Sequence, residues 1–351
     1  MTSSDRSAPR ILVVGAGAIG GVAGAALTRA GQDVTLADVD DAHRAAMQRD
    51  GLTIEGYPET HTLAVRAVHP ADLAGVYDVV FLAVKSQHTA AALAPVVPHL
   101  AADGCVVSLQ NGLNEPAIAD QVGGGQVLGV VIHLAADQLR PGHIVRYGQG
   151  EFFLGELDGA RTARCERVQR LMALIAPTTI VDNIWGWLWT KQVYGCLLVA
   201  SALADEPVGA QLAMPEVRLV HAALLAEATR VALAEGVRLE RLDILDPLAT
   251  LPSAAGDVAG ALAALDAVAA GSKKGNSGMW RDIKLKGRKS ESEHVTGEVV
   301  RRGAARGVPT PVNAAVLRQI GEIEAGQRTM ALANFRELLP LAEAWARGAA
   351  V

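Results

Sequence analysis

Through the first half of the chain, short and mostly apolar runs alternate with stretches carrying helical spacing. The runs are Ile11–Val14, Val34–Ala37, Val79–Val84, Val106–Leu109 and Val127–Ile132, and helices are predicted at Ile19–Ala30, Asp41–Arg49 and Thr89–Leu100. Near-continuous apolar strands joined by helices imply a parallel sheet buried on both faces. Beyond Pro141-Gly142 the texture changes, and Gly148 and Gly150 punctuate two short segments, His143–Tyr147 and Glu151–Leu154. These predict antiparallel additions to the same sheet. A helix over Ala163–Ile175 and a strand over Thr179–Val181 close this part. After Asp182-Asn183 the strand signals vanish, and Ile184–Ala204, Glu216–Glu235, Ala255–Ala270, Glu291–Arg306 and Pro311–Glu324 all carry helical spacing. Asp182 is positioned to cap the first of these, whose opening turns hold Trp185, Trp187 and Trp189. The pattern therefore predicts an α/β domain over residues 9–182 and an all-helical domain over residues 183–347.

The first strand runs into Gly15-x-Gly17-x-x-Gly20 and then into an Ala-rich helix. In a dinucleotide-binding reading Gly15 permits the tight turn and Gly17 lets the backbone approach a pyrophosphate. Gly20 lets the helix pack closely on the strand. Ala18 and Ile19 complete the turn, and the helix start offers N–H groups and partial positive charge to phosphates. The bland alternative is an ordinary Gly-rich strand-to-helix turn. Asp38, at the end of the second strand, argues against it. An acidic side chain there accepts hydrogen bonds from the adenine-ribose hydroxyls and repels a 2′-phosphate. Asp40 and Asp41 add negative charge and Arg44 is the nearby base, so NAD is expected rather than NADP.

Composition narrows the classes. A chain of 351 residues is long enough for two domains, and half of it is apolar. A net charge of −5 argues against a nucleic-acid surface. A local basic cluster at Lys273, Lys274, Lys284, Lys286, Arg288 and Lys289 reads as a solvated face or as the neighbourhood of an anionic ligand. The three cysteines, Cys105, Cys165 and Cys196, form no C-x-x-C pair, which excludes a zinc ribbon and suits a reducing compartment. No metal is expected. The polar N-terminus lacks a signal-peptide core and no long apolar run could span a membrane, so a cytoplasmic enzyme is expected, with no nucleic-acid or membrane partner. The apolar helices leave two options, a homodimer face or a plain core.

In an open parallel sheet ligands bind beyond the carboxyl ends of the strands. Lys85 follows one strand and would meet ribose or phosphate, or else lie on the surface. Gln110-Asn111-Gly112 follows another, with Asn111 facing the nicotinamide side or forming a plain turn. In the helical half Lys191 stands about two turns into an otherwise apolar helix. Burial there would lower its pKa, which suits a group that gives and recovers a proton near neutrality. The alternative is a lysine snorkelling at a domain edge.

Taken together these segments resemble the ketopantoate reductase (2-dehydropantoate 2-reductase) family. The resemblance rests on Gly15-Ala-Gly-Ala-Ile-Gly20, Leu82-Ala-Val-Lys85, Gln110-Asn-Gly112, Pro141-Gly142 and Gly148-x-Gly150. In the second half it rests on Leu188-Trp-Thr-Lys191, Met279-Trp-Arg-Asp-Ile283, Gly287-Arg-Lys-Ser-Glu291, Gly297-Glu-Val-Val-Arg301 and Gly307-Val-Pro-Thr-Pro311. It implies a Rossmann-type, doubly wound sheet followed by a helical domain like that of 6-phosphogluconate dehydrogenase. It also implies hydride transfer between a nicotinamide and a 2-oxo or 2-hydroxy acid. By this resemblance Lys191 is the general acid that protonates the developing alkoxide, Glu291 binds substrate, and Lys85 and Asn111 line the cofactor site. A carboxylate stabilised by a helix N-terminus is the structural alternative for Glu291.

The chain departs from the family in its substrate and cofactor positions. The family's two substrate-binding asparagines fall at Gly195 and Val199, and its small hydroxyl residue falls at Gly278, with Ser277 adjacent. Each lost donor would cost ~1–3 kcal/mol against a buried substrate oxygen. A wider, more apolar pocket and a bulkier or less hydroxylated substrate are therefore expected. The family's usual cofactor is NADPH, whereas the charge at Asp38 favours NAD. Two other readings compete: an NAD-dependent dehydrogenase of a different, bulkier secondary alcohol or hydroxy acid, and a non-catalytic NAD-sensing protein that would leave Lys191 and Glu291 without roles.

Overall fold

The apolar runs of the first half assemble into one eight-stranded sheet. In chain order the strands are β1 (Arg10–Val14), β2 (Asp33–Ala37), β3 (Leu52–Gly56), β4 (His61–Leu63), β5 (Arg66–Val68), β6 (Tyr77–Leu82), β7 (Leu100–Ser108), β8 (Val127–His133), β9 (Ala136–Arg140), β10 (His143–Arg146), β11 (Glu151–Glu156) and β12 (Thr178–Ile180). The large sheet runs β12-β11-β8-β7-β6-β1-β2-β5. All its pairs are parallel except β11 with β8. Its helices are α1 (Ala18–Arg29), α2 (Asp41–Asp50), α3 (Thr89–Leu93), α4 (Glu115–Val122) and α5 (Ala163–Met172). This computed structural model describes residues 8–254, 256–271 and 275–348, and the chain divides into two units that part after Ile184.

Three expectations are corrected. The segment at His143–Tyr147 does not extend the large sheet. As β10 it pairs in parallel with β3 and antiparallel with β9, inside a second, four-stranded sheet ordered β4-β3-β10-β9. The helix expected to reach Leu100 stops at Leu93, because Pro95 and Pro98 cannot continue it, and Leu100 already begins β7. Helix α4 follows β7 where no helix was expected, entered through Pro116 in its first turn.

Helix α1 lies against both sheets. Its Gly24 faces Leu36 of β2 so closely that a Cβ would overlap the leucine side chain, and a Cβ at Gly21 would overlap Ile144 of β10. Side-chain-free positions let the helix backbone sit directly on apolar strand residues, at a cost in helix propensity.

The second unit is helical: α6 (Ile184–Ala200), α7 (Val208–Leu212), α8 (Pro215–Ala234), α9 (Ala259–Gly271), α10 (Gly278–Lys284), α11 (Ser292–Arg306), α12 (Pro311–Glu324) and α13 (Ala333–Ala346). Helix α6 ends four residues earlier than expected and passes into a 3-10 turn at Ser201–Leu203. Ala255, the expected start of α9, lies outside the described residues. Helix α13, absent from the sequence reading, packs on α8 despite Pro340 within it. From α8 the buried Glu227 accepts the Val312 and Asn313 N–H groups at 2.9 Å each, so a carboxylate caps the start of α12. No helix among the described residues is long and apolar enough to cross a membrane.

Candidate active site

Four neighbouring strands, β2, β1, β6 and β7, run parallel, and their carboxyl ends share one edge. Gly15, Asp38, Lys85 and Asn111 all follow those ends, so the topology gathers residues spread along the first third of the chain. From β1 the chain steps outward through β2 to β5 and then crosses back to β6 on the other side of β1, which makes β1 and β6 the switch point at which open sheets bind ligands.

The glycine turn shows why each glycine is there. Gly15 has φ of 88° and donates its N–H to the Ala37 carbonyl at 2.8 Å. A Cβ on it would stand 2.9 Å from Val84 Cγ1 and 3.0 Å from the Val84 nitrogen. At Gly20 a Cβ would overlap the Gly15 carbonyl oxygen and come within 3.0 Å of Ala83 Cβ. These two are required by the protein's own packing. Gly17 differs, since a Cβ there would meet only Gln138 Oε1, at an ordinary 3.6 Å. Gly17 precedes α1 with no side-chain cap on the helix N-terminus, and Ala18 and Ile19 open the helix.

Asp38 is half-buried beside this turn. Its Oδ2 accepts the Ala16 N–H at 2.7 Å and its Oδ1 accepts the Asp40 N–H at 2.9 Å. Arg44 donates to the Asp38 carbonyl at 2.7 Å and pairs with Asp41. One contributor escaped the sequence reading. His43, buried in α2, accepts the Gly142 N–H on Nδ1 at 2.9 Å. Its Nε2 is therefore the donor and reaches the Ala16 carbonyl at 2.9 Å. The imidazole thus ties the glycine turn to the Pro141-Gly142 corner of the second sheet. The sequence reading placed a helix over Asp41–Arg49 and gave His43 no role.

Lys85 is half-buried and stands immediately before a 3-10 turn at Ser86–His88. Asn111 is exposed, and its carbonyl accepts from Ser86 Oγ at 2.8 Å and Asn114 Nδ2 at 2.7 Å. Gln110 donates to the Val84 carbonyl and to Thr89 Oγ1 at 2.9 and 2.8 Å. The loops after β6 and β7 are therefore one hydrogen-bonded unit.

In the helical unit, Lys191 sits on α6 with Glu291 immediately before α11. Burial pushes the Lys191 pKa down to about 8, and the charge of Glu291 pulls it back upward. Glu291 itself is 2% exposed. The two elements are fixed together next door, where Gln192 Nε2 donates to the Val295 and His294 carbonyls at 2.9 and 3.3 Å. Thr190 Oγ1 meanwhile bonds the Gly186 carbonyl at 2.9 Å and anchors to Glu240. Ser290 holds the approach to α11, giving its N–H and hydroxyl to Glu324 Oε1 at 2.8 and 2.7 Å. A cation of lowered pKa beside a buried carboxylate can exchange a proton near neutral pH.

Sequence models of one family match both halves: Ketopantoate reductase PanE/ApbA over residues 11–159, and Ketopantoate reductase PanE/ApbA C terminal over residues 183–324. The chain belongs to the ketopantoate reductase family. It is 26% identical over 320 residues to a 2-dehydropantoate 2-reductase of Archaeoglobus fulgidus, covering 90% of this chain and 98% of that one. It is 31% identical over 256 residues to that of Mesorhizobium japonicum, covering 65% and 77%. The PanE/ApbA family ketopantoate reductase of Ralstonia eutropha superposes with a TM-score of 0.78 at 28% identity, over 91% of this chain and all of that one. The fold also matches D-mandelate dehydrogenase, solved with NADH and anilino(oxo)acetate, with a TM-score of 0.80 at 20% identity over 91% and 99%.

At Gly195 and Val199, where the resemblance implies substrate contacts, the helices are tightly packed. The space a side chain would take at Gly195 is occupied by Val295, whose Cγ1 would lie 2.9 Å from a Cβ. The missing side chain there lets α6 and α11 approach rather than opening a wider pocket. Val199 is fully buried in the helical core. The Ser277 hydroxyl is already engaged, capping α10 through the Trp280 N–H at 3.2 Å and donating to the Leu198 carbonyl at 3.0 Å. Gly278 has open space where a Cβ would be. Of the basic cluster, Lys284 pairs with Asp205 and Arg288 with Asp282, while Lys273 and Lys274 lie outside the described residues. The cysteines are buried and their thiols pushed up, to about 11 at Cys105 and Cys165 and about 12 at Cys196, so none is a nucleophile at neutral pH.

Proposed function

We propose that this member of the ketopantoate reductase family transfers hydride between a nicotinamide and a 2-oxo or 2-hydroxy acid, with Lys191 as general acid and base. The observation that carries the reading is Lys191, half-buried on α6 and within the electrostatic reach of the buried Glu291, with its pKa brought down to about 8. In reduction the protonated amine stabilises and then neutralises the oxygen that becomes alkoxide. In oxidation the neutral amine takes the hydroxyl proton. Glu291 keeps a useful fraction of Lys191 charged and would contact the substrate.

The residues of the first unit fit a dinucleotide. Gly17 is free of any packing demand of the protein, which supports a backbone kept bare for a pyrophosphate, and the uncapped start of α1 supplies N–H groups for it. Asp38 would accept a ribose hydroxyl, with Lys85 and Asn111 further along the same edge. When bound, the nicotinamide supplies or accepts the hydride.

Asp38 supports NAD over NADP, because Arg44, the base nearby, is already paired with Asp41. Asp38→Asn keeps an acceptor for the Ala16 N–H and removes the charge. It should lower the ratio of kcat/KM for NADH over NADPH by roughly tenfold or more, since like charges near a protein surface repel by ~1–4 kcal/mol. Steady-state kinetics with both nucleotides decides this; an unchanged ratio would remove Asp38 from the cofactor assignment.

With no donor at 195 or 199, where the resemblance implies asparagines, a second reading is a 2-oxo acid without the hydroxyl of ketopantoate. A panel of 2-oxo acids with NADH, and of 2-hydroxy acids and alcohols with NAD, followed at the reduced-nicotinamide absorbance band, tests both. Turnover of ketopantoate above every unhydroxylated acid rejects the second reading, and turnover of alcohols alone rejects the first.

A further inference from the structure

Away from the carboxyl edge of the sheet, the first unit holds a cavity of about 320 Å³ against the C-terminal half of α1. Its walls come from Val22 and Ala26 of α1, Ile54 of β3, and Leu174 and Pro177 after α5. Arg146, the last residue of β10, also lines it. That volume is at the small end for ligand pockets, ~300–1,000 Å³.

Arg146 is a buried cation, 7% exposed, that no carboxylate pairs with among the described residues. Its Nε donates to the Gly148 carbonyl at 2.9 Å, and its Nη2 to the Ile175 carbonyl at 2.9 Å and to that of Gln149. The guanidinium carbon stands 5.3 Å from the centre of the Tyr57 ring. These contacts fix the plane of the group and leave Nη1, with two N–H bonds, making no bond to the protein. Burial without a counter-charge lowers the Arg146 pKa, and a buried charge of this kind is costly until an anion meets it. At the mouth, Arg29 is already paired with Glu59 at 2.6 Å.

We propose that this cavity binds a small organic monocarboxylate, its carboxylate on Nη1 of Arg146 and its apolar body against α1 and the loop after α5. A single negative charge fits because one guanidinium edge is on offer. The Glu59 carboxylate, held on the lining residue Arg29, opposes a dianion. None of the cavity's lining residues belongs to the glycine turn or to α6.

Titration calorimetry of the full-length protein with benzoate tests the assignment, with benzyl alcohol and phenyl phosphate as neutral and dianionic counterparts. Benzoate should bind with one-to-one stoichiometry, more tightly than either counterpart, and equally well in the Lys191→Ala variant. Arg146→Gln should weaken it about 10- to 100-fold, the loss of a charge-assisted hydrogen bond. Because Arg146→Gln also disturbs three carbonyl contacts, Ala26→Phe serves as the second variant, filling the cavity while leaving Arg146 in place. It too should weaken benzoate at least tenfold with an unchanged denaturation midpoint. Affinity unaltered by Ala26→Phe, affinity lost with Lys191→Ala, or equal binding of benzyl alcohol or phenyl phosphate would each overturn the proposal.

Discussion

Replacing Lys191 with alanine should lower kcat by ~10²–10⁴, the usual contribution of a positioned acid or base, while the affinity for reduced nicotinamide stays within a few-fold of the parent. The separation follows from where the parts lie in the chain: the glycine turn belongs to the first unit and Lys191 to α6. The pH dependence gives the sharper test. With a free-enzyme pKa of about 8 for Lys191, the reductive kcat/KM should fall as pH rises through 8, because the protonated amine is lost. The oxidative kcat/KM should rise through the same pH. Glu291→Gln removes the charge that raises the Lys191 pKa, so both limbs should move to lower pH. A reductive profile flat between pH 7 and 9.5, or full turnover in the alanine variant, would reject Lys191 as the acid.

The second large effect separates two glycines three residues apart. Gly20→Ala places a methyl group onto the Gly15 carbonyl oxygen, and neither partner is a flexible side-chain tip. The turn must open or α1 must lift, and the cost should reach or exceed the ~1–3 kcal/mol typical of overpacking. Urea denaturation should show a clear drop in midpoint, together with loss of NADH binding by fluorescence. Gly17→Ala meets only Gln138 Oε1 at 3.6 Å, so the midpoint should hardly move. NADH affinity should nevertheless fall at least about tenfold, as the methyl group intrudes where a pyrophosphate approaches. Loss of stability at Gly17, or undiminished NADH binding there, would mean that this glycine serves the fold alone.

What could be read from the sequence was what is encoded locally. Each strand of the large sheet that carries a dense apolar run was visible, as was the glycine turn, because burial on both faces leaves its mark on every residue. The second sheet escaped because β4 and β9 are short and largely polar, with half-exposed faces. His43 escaped for a different reason. Its two partners lie 27 and 99 residues away, and nothing within α2 announces them. Glu291 came from resemblance alone, since its neighbours Lys289, Ser290 and Glu293 look like an ordinary polar helix start. Gly195 was read as space gained, yet its meaning depends on Val295, a hundred residues on. A missing side chain says nothing about what fills its place.

The three glycines of α1, at positions 20, 21 and 24, carry a consequence for how the unit comes together. Each costs ~1 kcal/mol of helix propensity relative to alanine, and a twelve-residue segment is already near the lower limit for a helix on its own. A peptide of this sequence should therefore be a coil. The helix exists only once Leu36 and Ile144 offer it two surfaces to lie on. The start of α1 thus depends on both sheets at once, so nucleotide binding at the glycine turn, as proposed, would report the integrity of the whole first unit.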